Sequence, residues 1–174
     1  MRWIYSILII LTITLGGCSS PTLLDAIEKN GSRSVEILFQ DEIDKVVIFL
    51  NEDFTGQPLL SLNTFFKENS RYKYDSGTGE YAQNINLSDE DEIIIVRSVG
   101  NSSFGAVWGY VNYPNANTVI FSLEDEDGTV IYTSRIEITE TNIVYEKLQL
   151  DIFEQTNSLY YKILDNEDNV IVER

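Results

Sequence analysis

Three runs of carboxylates, Asp89-Glu90-Asp91-Glu92, Glu124-Asp125-Glu126-Asp127 and Asp165-Asn166-Glu167-Asp168, are the densest groups of side chains here that could do chemistry. Their oxygens suit a hard cation such as Ca²⁺. Asp125-Glu126-Asp127-Gly128 matches part of an EF-hand loop. Setting Gly128 at that loop's glycine puts Leu123 at the first ligand position and Ser134 at the last, so the loop itself is absent. The runs lie in separate turns, and only diffuse, salt-screened calcium binding is expected, with no metal site and no cofactor. Paired carboxylates also serve glycoside hydrolysis across a cleft. With 28 acidic residues, chance pairs are assured and none is singled out. The chain holds no histidine, which removes the commonest general base and excludes Ser-His-Asp and Cys-His arrangements. The remaining candidates are aromatic: Phe104, Trp108, Tyr110 and Tyr113, with Tyr72, Tyr74 and Tyr81. Exposed, the first four would form a platform for glycan or peptide; buried, they are core. On a strand Phe104, Trp108 and Tyr110 share one face and Tyr113 falls on the other. They are taken as the candidate binding surface, with core packing expected of at least two of the rings.

These residues need a scaffold, and the pattern predicts a mostly β one. Pro21 to Gly31 reads as one short helix, with Thr22 as its N-cap, Asn30-Gly31 as its end and Leu23, Leu24 and Ile27 as its apolar stripe. No other helix is expected. Strands are predicted at Ser34 to Gln40, Lys45 to Leu50, Leu59 to Phe66, Arg71 to Tyr74, Thr118 to Leu123, Thr129 to Thr133, Arg135 to Thr139, Ile143 to Leu150, Leu159 to Leu164 and Val170 to Glu173. The continuous apolar run Ile93-Ile94-Ile95-Val96 reads as a buried central strand. Val107 to Tyr113 reads as an aromatic strand in which Gly105 and Gly109 permit a bend or close packing. Short strands with polar turns between them predict an antiparallel β-sandwich or barrel-like domain with one short N-terminal helix.

The turns repeat a pattern of apolar strand, acidic turn, apolar strand. It occurs around Glu124 to Gly128, around Asp165 to Asn169, and more loosely around Asn51 to Gly56. Asp-Gly and Asp-Asn favour the positive φ that tight hairpins need. Residues 76 to 90 are the least strand-like stretch and read as a long loop, or as a linker with a subdomain split near 90. The expected organisation is a leader over 1–17, a tether over 18–21 and one β-rich domain over 22–174.

The start of the chain carries the most specific signal. Arg2 precedes an apolar run from Trp3 to Leu15, about 13 residues long, which is the length of a secretory leader core and short of a membrane span. Leu15-Gly16-Gly17-Cys18 follows, and Cys18 is the only cysteine, so no disulfide can form within the chain. This motif resembles the lipobox of bacterial lipoproteins. The resemblance implies cleavage before Cys18, a diacylglyceryl thioether on its sulfur, and attachment to the extracytoplasmic membrane face. Two further stretches are similar to small lipoproteins of Bacillus and related Gram-positive bacteria. One is Leu24-Asp25-Ala26-Ile27-Glu28 with Val35-Glu36-Ile37-Leu38 and Val46-Val47-Ile48-Phe49. The other is Gly109 to Val119, with Ile143-Val144-Tyr145 and Leu164 to Val170 after it. The resemblance implies a fold and a location, and assigns no catalytic residue.

Without residues 1–17 the chain has 11 basic and 28 acidic residues, a net charge of −17. That disfavours nucleic acid, which binds through cationic groups, and repels anionic head groups, so the hold on the membrane must come from the lipid. The function expected is a non-catalytic binding or accessory module of the cell envelope, with a cationic or neutral protein or glycan partner. A calcium-dependent envelope module is the alternative, and a carboxylate hydrolase ranks third.

Overall fold

The computed structural model describes residues 19–174 apart from Thr78 and Asn101. The leader over 1–17 and the lipidation candidate Cys18 lie outside the described residues. Helix α1 (Leu23–Lys29) opens the fold. Thr22 caps it by accepting the Asp25 N–H at 3.1 Å, and Leu23, Ala26 and Ile27 form its buried face. Leu24 stays 38% exposed, because the stripe turns with the helix towards Ala26. The Asn30 amide closes the end by donating to Ala26 O at 2.9 Å and to Tyr74 O at 2.7 Å.

All the strands are antiparallel and form three sheets. The first holds β1 (Arg33–Asp41), β2 (Val46–Glu52), β3 (Pro58–Glu68) and β4 (Arg71–Tyr74) in that order, with β5 (Tyr81–Asn84) also on β3. The second holds β6 (Asp91–Ser98), β7 (Gly105–Asn112) and β10 (Ile143–Leu148), with β7 in the middle. The third runs in the order β12-β11-β8-β9, from β8 (Ala116–Glu124), β9 (Val130–Glu137), β11 (Ser158–Asp165) and β12 (Val170–Glu173).

Side-chain alternation stacks these sheets into layers. Leu23, Ala26 and Ile27 pack on Val47, Phe49, Phe65 and Tyr74, one face of the first sheet. Its other face presents Val46, Ile48, Leu60 and Leu62 to Ala106, Trp108, Tyr110 and Ile143 of the second. The second sheet's far face packs Ile94, Val107, Val111 and Val144 against Val119, Phe121, Leu123 and Ile163 of the third. The predicted mostly β, antiparallel fold with few helices is the one found.

Four local readings are corrected. Ile143 to Leu150 is not one strand: β10 ends at Leu148, and helix α2 (Leu150–Gln155) follows. No side-chain cap bonds its N-terminus and none of its residues is buried, so its pattern gives little helical signal. Residues 76 to 90 contain β5, whose Tyr81 pairs with Leu62. Thr129 to Thr133 and Arg135 to Thr139 belong largely to the single strand β9. The Ile93 to Val96 run lies on an outer strand of the middle sheet; the central strand is β7. Both sheets that sandwich the middle one contact β6, which is why an edge strand reads as a continuous apolar run.

Candidate functional site

The four aromatic candidates do not form an exposed platform. Trp108 is fully buried and Tyr110 nearly so. Phe104 is half-buried beneath the Lys147 ammonium, 4.5 Å from its ring centroid. The alternation is as read: Phe104, Trp108 and Tyr110 belong to the core between the first two sheets, and Tyr113 lies half-buried beside the other core. The binding-surface reading fails at Trp108 because β7 is the middle strand of the middle layer and has no solvent face. Tyr81 packs edge-on against Trp108 at 5.8 Å. The signal was present in the sequence, since Gly105 to Asn112 carries no charge over eight positions.

Two of the three acidic runs resolve into turns, around Asp125 and Asp165; in the third, Asp91 and Glu92 open β6 instead. In Asp53 to Gln57, Asp125 to Thr129 and Asp165 to Asn169, the first residue's N–H donates to the fifth residue's carbonyl, at 3.0 Å each time. The fourth residue has positive φ: Gly56 +83°, Gly128 +77°, Asp168 +63°. The leading aspartate's Oδ1 accepts the N–H of the third residue (2.7, 3.0 and 2.8 Å) and of the fifth (2.9 Å throughout). These carboxylates replace lost ladder partners of the backbone. Thr139 to Ile143 is a fourth copy, with Thr139 Oγ1 accepting the Ile143 N–H at 2.9 Å and Asn142 at φ +64°. Hydrogen bonding to Thr55 and Gln57 lowers the Asp53 carboxyl below its ordinary range, and Asn169 does the same for Asp165.

Three partly buried acids face phenols. Glu92, with its side chain 6% exposed, accepts from Tyr113 Oη at 2.5 Å, Tyr161 Oη at 3.2 Å and Arg174 Nε at 3.1 Å. Glu146 accepts from Tyr132 Oη and, at 2.7 Å, from Ser134 Oγ. Glu80 accepts from Tyr74 Oη at 2.5 Å, and burial pushes its carboxyl up. Among the described residues no group of three or more His, Cys, Asp or Glu side chains could hold a metal ion.

One surface adjoins the expected anchor. Ser20 is fully buried and forms an isolated bridge to Tyr72, with N–H to carbonyl distances of 2.7 and 2.8 Å in the two directions. Lys29 Nζ donates to Ser20 Oγ at 3.0 Å, and Arg71 donates to Ser19 Oγ at 2.8 Å and Ser19 O at 2.6 Å. The expected tether is therefore incorporated into the fold by Ser20. Beside it the β3–β4 hairpin pairs Phe66 with Lys73 and Glu68 with Arg71, so these four share a face. With Ser19 they line a notch of about 400 Å³, and Phe66 is 66% exposed. Sequence reasoning missed Phe66, because it falls on a core-facing parity; the middle sheet does not extend far enough to cover it. No helix of the described residues is long and apolar enough to cross a membrane. Compared with protein-family models, with curated proteins and with solved structures, the chain matches none.

Proposed function

We propose that this chain is a lipid-anchored protein of the extracytoplasmic membrane face, held through Cys18, that works by non-catalytic binding or as an accessory component of the cell envelope. The observation that carries the reading is how closely the lipobox-like motif adjoins the fold. Ser20, two residues after Cys18, is already bonded to β4. At about 3.8 Å per residue, an acylated Cys18 stays within roughly 8 Å of that bridge. Exposed Phe66 and the cations Arg71 and Lys73 then lie at the bilayer surface, where an apolar ring and basic groups suit the interface. The charge distribution agrees: residues 19–75 carry six basic and ten acidic groups, and residues 76–174 carry five and eighteen. The more repelled part is the one further along the chain from the lipid.

The test is Cys18→Ala in the full chain expressed in a bacterial host. The unsubstituted protein should fractionate with membranes and carry the mass of a diacylglyceryl group on a chain starting at Cys18. The variant should lose that mass and retain the leader. Identical masses and identical fractionation would overturn the anchor.

A further inference from the structure

Strand β6 has β7 on one side and, among the described residues, no strand on the other. Its pairing with β7 runs unbroken from Asp91 to Ser98, with no bulge to twist it away. The edge strand β1, by contrast, has register shifts at two places. Proteins ordinarily blunt a free edge with bulges, prolines or inward charges, because its unpaired N–H and C=O groups invite another strand. Residues 91–98 contain no proline; the one inward carboxylate, Glu92, sits at the start of the strand, outside 94–98, and the one cation, Arg97, leans over the Tyr81 ring at 5.2 Å.

A groove of about 580 Å³ runs along this edge. Residues 94–98 form one wall; Phe153, Leu159 and Tyr161 stand on the other. That second wall includes another bare edge. Strand β12 meets β11 only from Leu164 to Tyr161, where Tyr161 and Arg174 exchange hydrogen bonds at 2.9 Å. Among the described residues, Ser158 to Tyr160 therefore pair with β8 alone. Acids lie beyond both ends of the groove, with Arg174 paired to Glu92 near one of them. Thr156 and Asn157 also line an adjoining pocket with Asp125, Glu126, Asp127 and Glu154, and Asp89-Glu90-Asp91 leads into β6.

We propose that the free edge of β6 is a docking site for an extended, basic segment of a protein partner, which adds as a fourth strand to the middle sheet. Backbone pairing with residues 94–98 supplies its hold. Alternate side chains of the incoming strand enter the groove against Phe153, Leu159 and Tyr161 and are apolar. Lysines or arginines flanking the paired stretch meet the acids beyond each end, which sets orientation and speeds encounter. This proposal rests on the binding role proposed above and is independent of the lipid anchor.

The experiment uses the full chain and a synthetic peptide of alternating valine and threonine with two lysines at each end. Two controls differ from it: one has glutamates at the ends, and one has its alternate amides N-methylated. The lysine peptide should bind saturably, about tenfold tighter than the glutamate peptide at low salt, and N-methylation should abolish binding. Amide exchange should show new protection at residues 94–98. Glu126→Lys combined with Glu154→Lys, both exposed sites, should reduce the preference for lysine ends while leaving the unfolding midpoint in place. Absence of saturable binding, binding indifferent to N-methylation, or protection appearing at β1 or β9 instead would each overturn the proposal. Membrane fractionation of the same chain reads the anchor separately.

Discussion

Trp108 shows what a residue means once its layer is known. It is fully buried between two sheets, and its Nε1 finds no acceptor among the described residues. The site therefore depends on the ring's volume. Trp108→Ala should cost about 3–5 kcal/mol, read by urea unfolding, since the surrounding sheets cannot close the cavity. Trp108→Phe removes a buried N–H that bonds nothing, which offsets part of the lost volume, and should cost less than half as much. A Trp108→Ala protein as stable as its parent would place the ring outside the core. Gly109, next along, is fixed by a different contact. A Cβ there would sit 1.7 Å from the Ile93 carbonyl oxygen, a backbone atom of the paired strand that cannot swing aside. The same glycine that read as a licence for close packing is where β6 and β7 press together.

At the scale of elements, the turns control register, and two substitutions test them in opposite directions. Gly128 holds φ +77°, so Gly128→Val should destabilise by roughly 1–2 kcal/mol in chemical denaturation, because a β-branched residue resists that conformation. A loss near zero would mean that the hairpin accommodates an ordinary backbone. The β3–β4 hairpin has the opposite problem. Asn69 (φ +50°) and Ser70 (φ +59°) both lie in the left-handed region, as a two-residue type I′ turn requires, and serine is a poor second residue there. Ser70→Gly should stabilise by roughly 0.5–1 kcal/mol, and a destabilised variant would overturn this assignment. Much of this layer was legible in the sequence. The three acidic turns share one geometry because Asp-x-x-Gly or Asp-x-x-Asp encodes its own backbone caps, and the Phe104–Trp108–Tyr110 parity follows from a period of two. What was not legible came from neighbours distant in the sequence. The exposure of Phe66 depends on where another sheet stops, and the edge position of β6 depends on strand order. A six-residue helix that packs only Ile152 and Phe153 on the core, such as α2, is too short to leave a periodic trace.

At the scale of the whole molecule, phenol–carboxylate pairs join the layers, and this sets how stability responds to pH. Tyr161 of β11 and Glu92 of β6 connect the third sheet to the second; Tyr132 of β9 and Glu146 of β10 do so again. The hydrogen bond to Glu92 pushes Tyr113 up to about 12, and burial with the Glu92 charge beside it pushes Tyr161 up to about 12. Tyr132 is raised by its bond to Glu146, while burial raises Tyr74 and Tyr145. Each phenol thus keeps its proton more tightly in the folded chain than in the unfolded one, where it titrates near 10. Their contribution is complete below about pH 10 and is lost as pH rises through the folded values, because the unfolded state releases its protons first. The acid side has a smaller counterpart. Burial pushes Glu42 up, but hydrogen bonds from Lys67, Tyr72 and Lys45 hold it at about 2, so its share is present above about pH 4 and fades as pH falls towards 2. Solvent screening limits that share, since the Glu42 side chain is 41% exposed. Unfolding midpoints should therefore fall steeply above pH 10 and only gently at the acid end. Phenolate absorbance from the paired phenols should appear only with unfolding. The decisive variant is Glu92→Gln, whose amide oxygen still accepts a hydrogen bond but carries no charge. It should bring Tyr113 and Tyr161 back towards 10 and flatten the alkaline fall. If Glu92→Gln leaves the alkaline limb unchanged, the join between the second and third sheets does not run through this carboxylate.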